Sequence, residues 1–204
     1  MTLLGDEPTE LLPCDGSAVL HPWVLGDQPW ETLMARLVSG TNWEQRSITV
    51  FGREHPQPRL IAWHGDPGSE YTYSNVRMHV SPWTDTLREL RDICAMVAGS
   101  PFNSVLLNLY RDGNDTMGWH RDNEPELGTE PVIASLSLGG TRRFRLRHRR
   151  TRESVDVDLG PGSLLVMSGL SQTCWEHCVP RRARVVGPRI NLTFRNVRPV
   201  QKRG

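Results

Sequence analysis

The spacing of apolar positions changes character near residue 100. Before it, two stretches repeat at helical intervals. Leu33, Met34 and Leu37 share one side of residues 31–38, and Gly40 follows as a stop. Leu87, Leu90, Cys94 and Val97 line one face of a second predicted helix, which Ser81-Pro82 can cap, which runs to about residue 98 and which Gly99 closes. From Phe102 onward the period is two, with strands predicted at 104–110, 118–122, 132–138, 143–148, 155–159, 164–168, 175–179 and 189–196. Gly139-Gly140 and Gly160-Pro161-Gly162 punctuate them as turns. About eight short strands with such turns predict a double-sheet jelly roll with the helices packed outside. Ahead of it, residues 18–20 suggest one short strand. Residues 47–51 and 59–63 read as a hairpin with an irregular, Pro-containing tip, and Tyr71-Thr72-Tyr73 follows a Gly/Asp/Pro loop. The predicted class is α+β. Residues 1–204 form one domain, with 101–198 as the jelly-roll core and 1–100 as an N-terminal extension over it.

Composition narrows this picture. No apolar run reaches the ~18 residues of a membrane helix, and the N-terminus lacks a secretory signal's basic start and apolar centre. The expectation is a monomer away from membranes, cytoplasmic, or nuclear in a eukaryote. Cys14, Cys94, Cys174 and Cys178 include no C-x-x-C pair, so reduced thiols are expected. Cys174 and Cys178 flank His177, but with no second Cys/His pair nearby they do not make a zinc motif. The net charge of +1 hides an asymmetry: residues 141–204 hold fifteen Lys and Arg against four Asp and Glu, and residues 1–140 nine against nineteen. A polyanion can therefore meet the C-terminal half although the chain as a whole is nearly neutral.

Two stretches carry candidate chemistry. In W-H-R-D, His120 and Asp122 stand two apart, so an extended backbone points both to one face. Joined by a second histidine, they make the 2-His-1-carboxylate facial triad of non-heme Fe(II) oxygenases. His177 is the candidate partner. In R-I-N-L-T-F-R, Ile190, Leu192 and Phe194 share one face and Arg189, Asn191, Thr193 and Arg195 the other. A half-exposed strand with its arginines in water shows the same alternation. In a jelly roll whose lumen takes the polar face, the two arginines instead need anions, and their bidentate forks suit the two ends of a dicarboxylate. On 104–110 the pattern recurs: Asn108 and Tyr110 share a face opposite Leu107 and Leu109.

N-L-Y-R-D-G, W-H-R-D-N-E, I-A-S-L-S-L-G, H-C-V-P and P-R-I-N-L-T-F-R, in this order over roughly residues 42–198, resemble the AlkB family of Fe(II)/2-oxoglutarate dioxygenases. The resemblance implies oxidative removal of alkyl groups from nucleic-acid bases such as 1-methyladenine and 3-methylcytosine. The family consumes O2 and 2-oxoglutarate and releases formaldehyde, succinate and CO2. It implies a double-stranded β-helix, another name for the jelly roll, with a nucleotide-recognition hairpin in the extension. His120, Asp122 and His177 match the family's iron ligands. Asn108, Tyr110, Arg189, Asn191, Thr193 and Arg195 match its 2-oxoglutarate contacts, with Arg189, Tyr110 and Asn191 at the distal carboxylate and Arg195 and Asn108 at the one beside the keto group.

The implied substrate is damaged DNA, duplex as well as single-stranded, with RNA or a protein as the alternative on the same scaffold. A nucleic-acid-binding module without turnover is the reading of a different class. A methylated pairing edge is reached only by flipping the nucleotide or acting on single strands. Tyr71 and Tyr73 match the family's nucleobase-pocket aromatics, and Asn123 and Glu124 fall where the base edge is met. Asn123 departs from the Asp usual among close relatives, and an amide both donates and accepts. Val50-Phe51-Gly52-Arg53 resembles the finger loop of the member directed at double-stranded DNA, with Phe51 as the wedge filling the gap of the flipped base. The bland alternative is a buried hairpin Phe. Arg181, Arg182 and Arg184 match a basic loop for the opposite strand. Seven arginines between 142 and 152 alternate with Phe144 and Leu146, either tracking a phosphate backbone or forming a charged exterior face.

Overall fold

The structure, a computed structural model, describes residues 7–50, 53–69, 71–73, 76–78, 80–182 and 187–198; of 48–50, 53, 71–73 and 76–78 only the backbone is described. Its strands are β1 (Thr9–Glu10), β2 (Ser17–His21), β3 (Ser47–Val50), β4 (Arg53–Pro56), β5 (Leu60–Gly65), β6 (Tyr71–Tyr73), β7 (Val76–Met78), β8 (Ser104–Tyr110), β9 (Met117–His120), β10 (Ile133–Gly139), β11 (Arg142–His148), β12 (Ser154–Leu159), β13 (Leu164–Ser168), β14 (Trp175–Val179) and β15 (Arg189–Arg195). The α-helices are α1 (Trp30–Gly40), α2 (Asp85–Ala98) and the single turn α3 (Ser171–Cys174), and a 3-10 turn spans Pro125–Leu127. A seven-stranded antiparallel sheet runs β1-β2-β13-β10-β15-β8-β5, and a four-stranded one β12-β11-β14-β9. The expected jelly roll is present. Strands from the first hundred residues, β1, β2 and β5, widen its larger sheet.

The period of two decides which side chains meet the helices and which face the smaller sheet. Leu107 and Leu109 of β8, Leu136 and Leu138 of β10, and Ile190, Leu192 and Phe194 of β15 pack with Leu33 and Leu37 of α1 and Leu87, Leu90 and Cys94 of α2. On the other face, Tyr110, Ile133, Leu165 and Met167 meet Phe144, Leu146 and Trp175 of the smaller sheet. Every residue of β8, β10 and β15 is buried. That rules out the half-exposed reading of β15: its arginines sit inside, between the sheets.

Two local expectations change. Residues 47–50 turn back onto β4, not onto β5, and β5 pairs with β8 in the larger sheet. The reason is burial: β5 is apolar on both faces, with Ala62 against the helical core and Ile61 and Trp63 in a cluster with Leu106 and Val197, and the edge of the larger sheet beside β8 covers both. The cap of α2 is Thr84, whose side chain accepts the Leu87 N–H at 3.2 Å. Ser81 is engaged elsewhere, bridging to β5 through its N–H to the Trp63 carbonyl and its own carbonyl to the Gly65 N–H. Gly99 closes the helix as expected, in the left-handed conformation at φ 61°. Among the described residues no helix is long and apolar enough to cross a membrane.

Candidate metal centre between the two sheets

His120 ends β9 and His177 sits in the middle of β14. The ladder places them directly opposite each other, across 57 residues of chain, with ring centroids 4.2 Å apart. Asp122 lies two residues beyond the last rung of β9, so the strand is shorter than predicted. Even so, the ligand atoms of His120, Asp122 and His177 all fall within 4.8 Å of one another. The cavity they border is roofed by the larger sheet through Asn108, Asn191, Thr193 and Arg195.

The donors are in the state a cation needs. The His120 Nδ1 lies 2.9 Å from the Gly118 carbonyl, which fixes the proton there and leaves Nε2 free to ligate. Burial keeps the His120 imidazole below its ordinary range despite Asp122 nearby, and burial plus His120 pushes His177 down to about 3. Both rings are neutral at physiological pH. Burial alone would raise the Asp122 carboxyl, but the charges facing it, the Arg195 guanidinium first among them, bring it below its ordinary value and the group stays ionised. Asp122 Oδ2 takes Arg195 Nη2 at 2.9 Å, while its buried Oδ1 has no hydrogen-bond partner among the described residues. Two neutral imidazoles and a carboxylate with a spare oxygen fit a ferrous ion.

The larger sheet supplies the anion site. Arg189, 1% exposed, donates Nη2 to Ser137 Oγ at 2.8 Å, and its Nε and Nη1 are buried without partners among the described residues. Burial draws its guanidinium down to about 10, with Tyr110 opposing. Tyr110 lies between Arg189 and Arg142, each guanidinium 5.4 Å from its ring. Asn191 donates to Ser135 Oγ at 2.7 Å and accepts from Thr193 Oγ1 at 3.1 Å. A buried cation with two open donors fits one end of a dicarboxylate.

Sequence reasoning missed two buried supports. Arg59 donates Nε to Asn108 Oδ1 at 2.8 Å, occupying that amide oxygen. Gln172 on α3 accepts the Asp122 N–H at 3.0 Å. Neither sits in a motif, and each contact spans about half a hundred residues, so no local signal could have shown it.

The substrate-facing candidates are placed in part. Asn123 is exposed and Glu124 half-buried, immediately beyond Asp122. Arg181 donates to Asn114 Oδ1 at 2.7 Å and Arg182 to the Thr141 carbonyl at 3.0 Å, so the start of the basic loop is tied to the body. Phe51, Gly52 and Arg184 lie outside the described residues. Arg53, Tyr71 and Tyr73 are described only by backbone, on β4 and on the β6–β7 hairpin. The arginine strip resolves toward the exterior reading. Arg143 and Arg145 pair with Asp158 and Asp156 of β12, both at 2.8 Å, and Arg147 with Glu176 of β14 at 2.6 Å. Arg142 is buried, bonding the carbonyls of Asp112, Asp115 and Pro180.

A jelly roll with a His–Asp–His cluster at its mouth and an uncompensated arginine within defines the class: a non-heme iron oxygenase with a keto-acid cosubstrate. Comparison with known proteins agrees. The family model described as 2OG-Fe(II) oxygenase superfamily matches residues 17–195. DNA oxidative demethylase ALKBH2 of Bos taurus is 43% identical over 164 residues, which are 76% of this chain and 59% of that one. The Mus musculus ALKBH2 is 44% identical over 163 residues, 76% of this chain and 68% of that one. Alpha-ketoglutarate-dependent dioxygenase alkB homolog 3 of Homo sapiens is 38% identical over 190 residues, 88% of this chain and 66% of that one. The solved structure of OsALKBH1 superposes with a TM-score of 0.61 at 17% identity, covering 92% of this chain and 100% of that chain, and so shares the fold. The chain belongs to the AlkB family of the 2OG-Fe(II) oxygenase superfamily, and it spans roughly three fifths to two thirds of the length of these curated relatives. Membership implies Fe(II) and 2-oxoglutarate as its cofactor and cosubstrate.

Proposed function

We propose that this chain oxidatively demethylates N-alkylated bases such as 1-methyladenine and 3-methylcytosine in DNA, acting as a monomer on duplex as well as single strands. The observation that carries the reading is the cross-strand His120–His177 pair with Asp122, together with the uncompensated Arg189 over Tyr110, a residue that lines the same cavity. Iron held by these three side chains, with O2 and 2-oxoglutarate, supplies the oxidation of the methyl carbon. The chain's own work is placement and electrostatics. Arg189, with Tyr110 and Asn191, takes the distal carboxylate of the keto acid. Arg195 holds Asp122 and, with Asn108, faces the carboxylate beside the keto group. Neutral imidazoles and an ionised Asp122 keep the metal's donors free of protons. Tyr71, Tyr73, Asn123 and Glu124 receive the flipped base, Phe51 with Gly52 and Arg53 fills its gap, and Arg181, Arg182 and Arg184 meet the opposite strand.

The names of the relatives, a DNA oxidative demethylase among them, support the substrate class. The test is 2-oxoglutarate-dependent formaldehyde release from matched single-stranded DNA, duplex DNA and RNA oligomers, each with one methylated base. Release from DNA is expected. Release from RNA alone moves the substrate to RNA. Succinate without formaldehyde from any oligomer points to a protein substrate, and no succinate at all leaves a binding module.

A further inference from the structure

A second group of ligand atoms converges outside the iron triad. The Asp15 carboxylate, the His148 ring and the Cys174 thiol each offer one donor, and these all lie within 4.8 Å of one another. They come from three separate places: the loop before β2, the last residue of β11, and the junction of α3 with β14. We infer that Asp15, His148 and Cys174 form a second metal site, built for a thiophilic divalent cation of the zinc type, with solvent in the fourth position.

Geometry and donor chemistry both favour this cation. His148 Nε2 and Asp15 Oδ2 are 3.2 Å apart, close to the roughly 3.3 Å edge of a tetrahedron with ~2.0 Å metal–ligand bonds. Thiolate, imidazole and carboxylate together select zinc over magnesium or calcium, which prefer all-oxygen cages. Cys178 takes no part: it stands opposite Arg145 in the ladder, on the outer face of β14, whereas His177 faces the iron site. The zinc motif absent from the linear sequence is thus replaced by a different grouping.

The surroundings hold the three donors in place. The Arg149 N–H bonds the Cys174 carbonyl at 2.8 Å, and the Trp175 indole bonds the Cys14 carbonyl at 3.1 Å. Asp15 is left-handed at φ 52°, and Gly16 follows at φ 127°, packed on the Ser171 backbone where a Cβ would collide. Trp175 lies edge-on to the His148 ring, with centroids 5.0 Å apart. The Thr151 N–H donates to His148 Nδ1 at 3.0 Å, and Thr151 Oγ1 lies 3.0 Å from the same nitrogen. With no ion, the ring carries its proton on Nε2, shared with Asp15. Metal binding at Nε2 puts the ring proton on Nδ1, so the Thr151 N–H gives up its hydrogen bond there and Thr151 Oγ1 accepts from Nδ1 in its place, while the Cys174 thiol releases one proton to solvent. The ion therefore staples the N-terminal loop to α3, the same turn whose Gln172 supports Asp122.

Cobalt(II) separates this site from the iron triad, because that triad contains no sulfur. The reduced, metal-free full chain titrated with cobalt(II) should develop a thiolate-to-cobalt charge-transfer band that one equivalent of zinc(II) removes. Cys174→Ser should abolish the band and Cys178→Ser should keep it. Asp15→Asn, at an exposed position, should weaken zinc(II) binding by at least the ~10–100-fold that even an outer-shell partner commands. No charge-transfer band in the natural chain, or a band that survives Cys174→Ser, overturns the site. So does zinc(II) affinity unchanged in Asp15→Asn.

Discussion

The Arg195 guanidinium lies 2.9 Å from the Asp122 carboxylate, and both side chains are almost wholly shielded from solvent. The pair joins the two sheets, β15 to the loop after β9, and fixes the charge of a metal donor before any metal arrives. Removing one partner strands the other. Arg195→Met should destabilise the metal-free protein by about 3–5 kcal/mol near neutral pH. Adding Asp122→Asn should recover part of that loss. Urea unfolding of the two single variants and the double measures it; strictly additive effects would mean the two charges do not interact.

Arg189 behaves oppositely, since no carboxylate pairs with it among the described residues. Arg189→Met should leave the metal-free protein as stable as before, or more so. It should also weaken 2-oxoglutarate binding: losing charge-assisted hydrogen bonds of about 1.5–3 kcal/mol is roughly 10- to 100-fold in affinity. The natural chain at 100 times its dissociation constant should gain about 2.7 kcal/mol of stability from the keto acid. At the same concentration the variant should gain much less, which thermal unfolding with and without 2-oxoglutarate will show.

Acid should weaken the metal-free fold in a window set by histidine. His177 in the folded chain is pushed down to about 3 from an ordinary 6.5, and His120 is shifted the same way. The unfolded chain therefore binds more protons between those values. Stability is fully present above about 6.5 and is lost as pH falls toward 3. Asp122, also lowered, loses its contribution only below its ordinary 3.8, which separates the two effects. Urea midpoints across the window should fall less steeply in His177→Gln; identical slopes would assign the acid sensitivity to other groups.

Gln172 touches Asp122 only through a backbone N–H, at 3.0 Å. Gln172→Leu leaves that buried donor unsatisfied, at about 1–3 kcal/mol. Loss of a partner behind a ligand should lower Fe(II) affinity ~10–100-fold. Iron titration followed by tryptophan fluorescence measures the affinity, and an unchanged value would reduce Gln172 to packing.

Phe51→Ala should reduce turnover on duplex DNA much more than on single strands, because only the duplex needs its gap filled. Rates on matched oligomers decide it. Equal losses on both would mark Phe51 as a hairpin core residue.

The alternation of side chains along an extended backbone is local, so the sequence by itself determined the two faces of β8 and β15. It likewise indicated that His120 and Asp122 share a side, and the order of motifs placed the chain in its family. Tertiary structure decided what depends on register and burial. It set His177 opposite His120 and brought Arg59 to Asn108 and Gln172 to Asp122. It sent β5 into the large sheet and neutralised Arg143, Arg145 and Arg147 with acids on neighbouring strands. A strand's own residues tell which way each side chain points; which strand it will face is settled only when the whole chain buries its apolar surface.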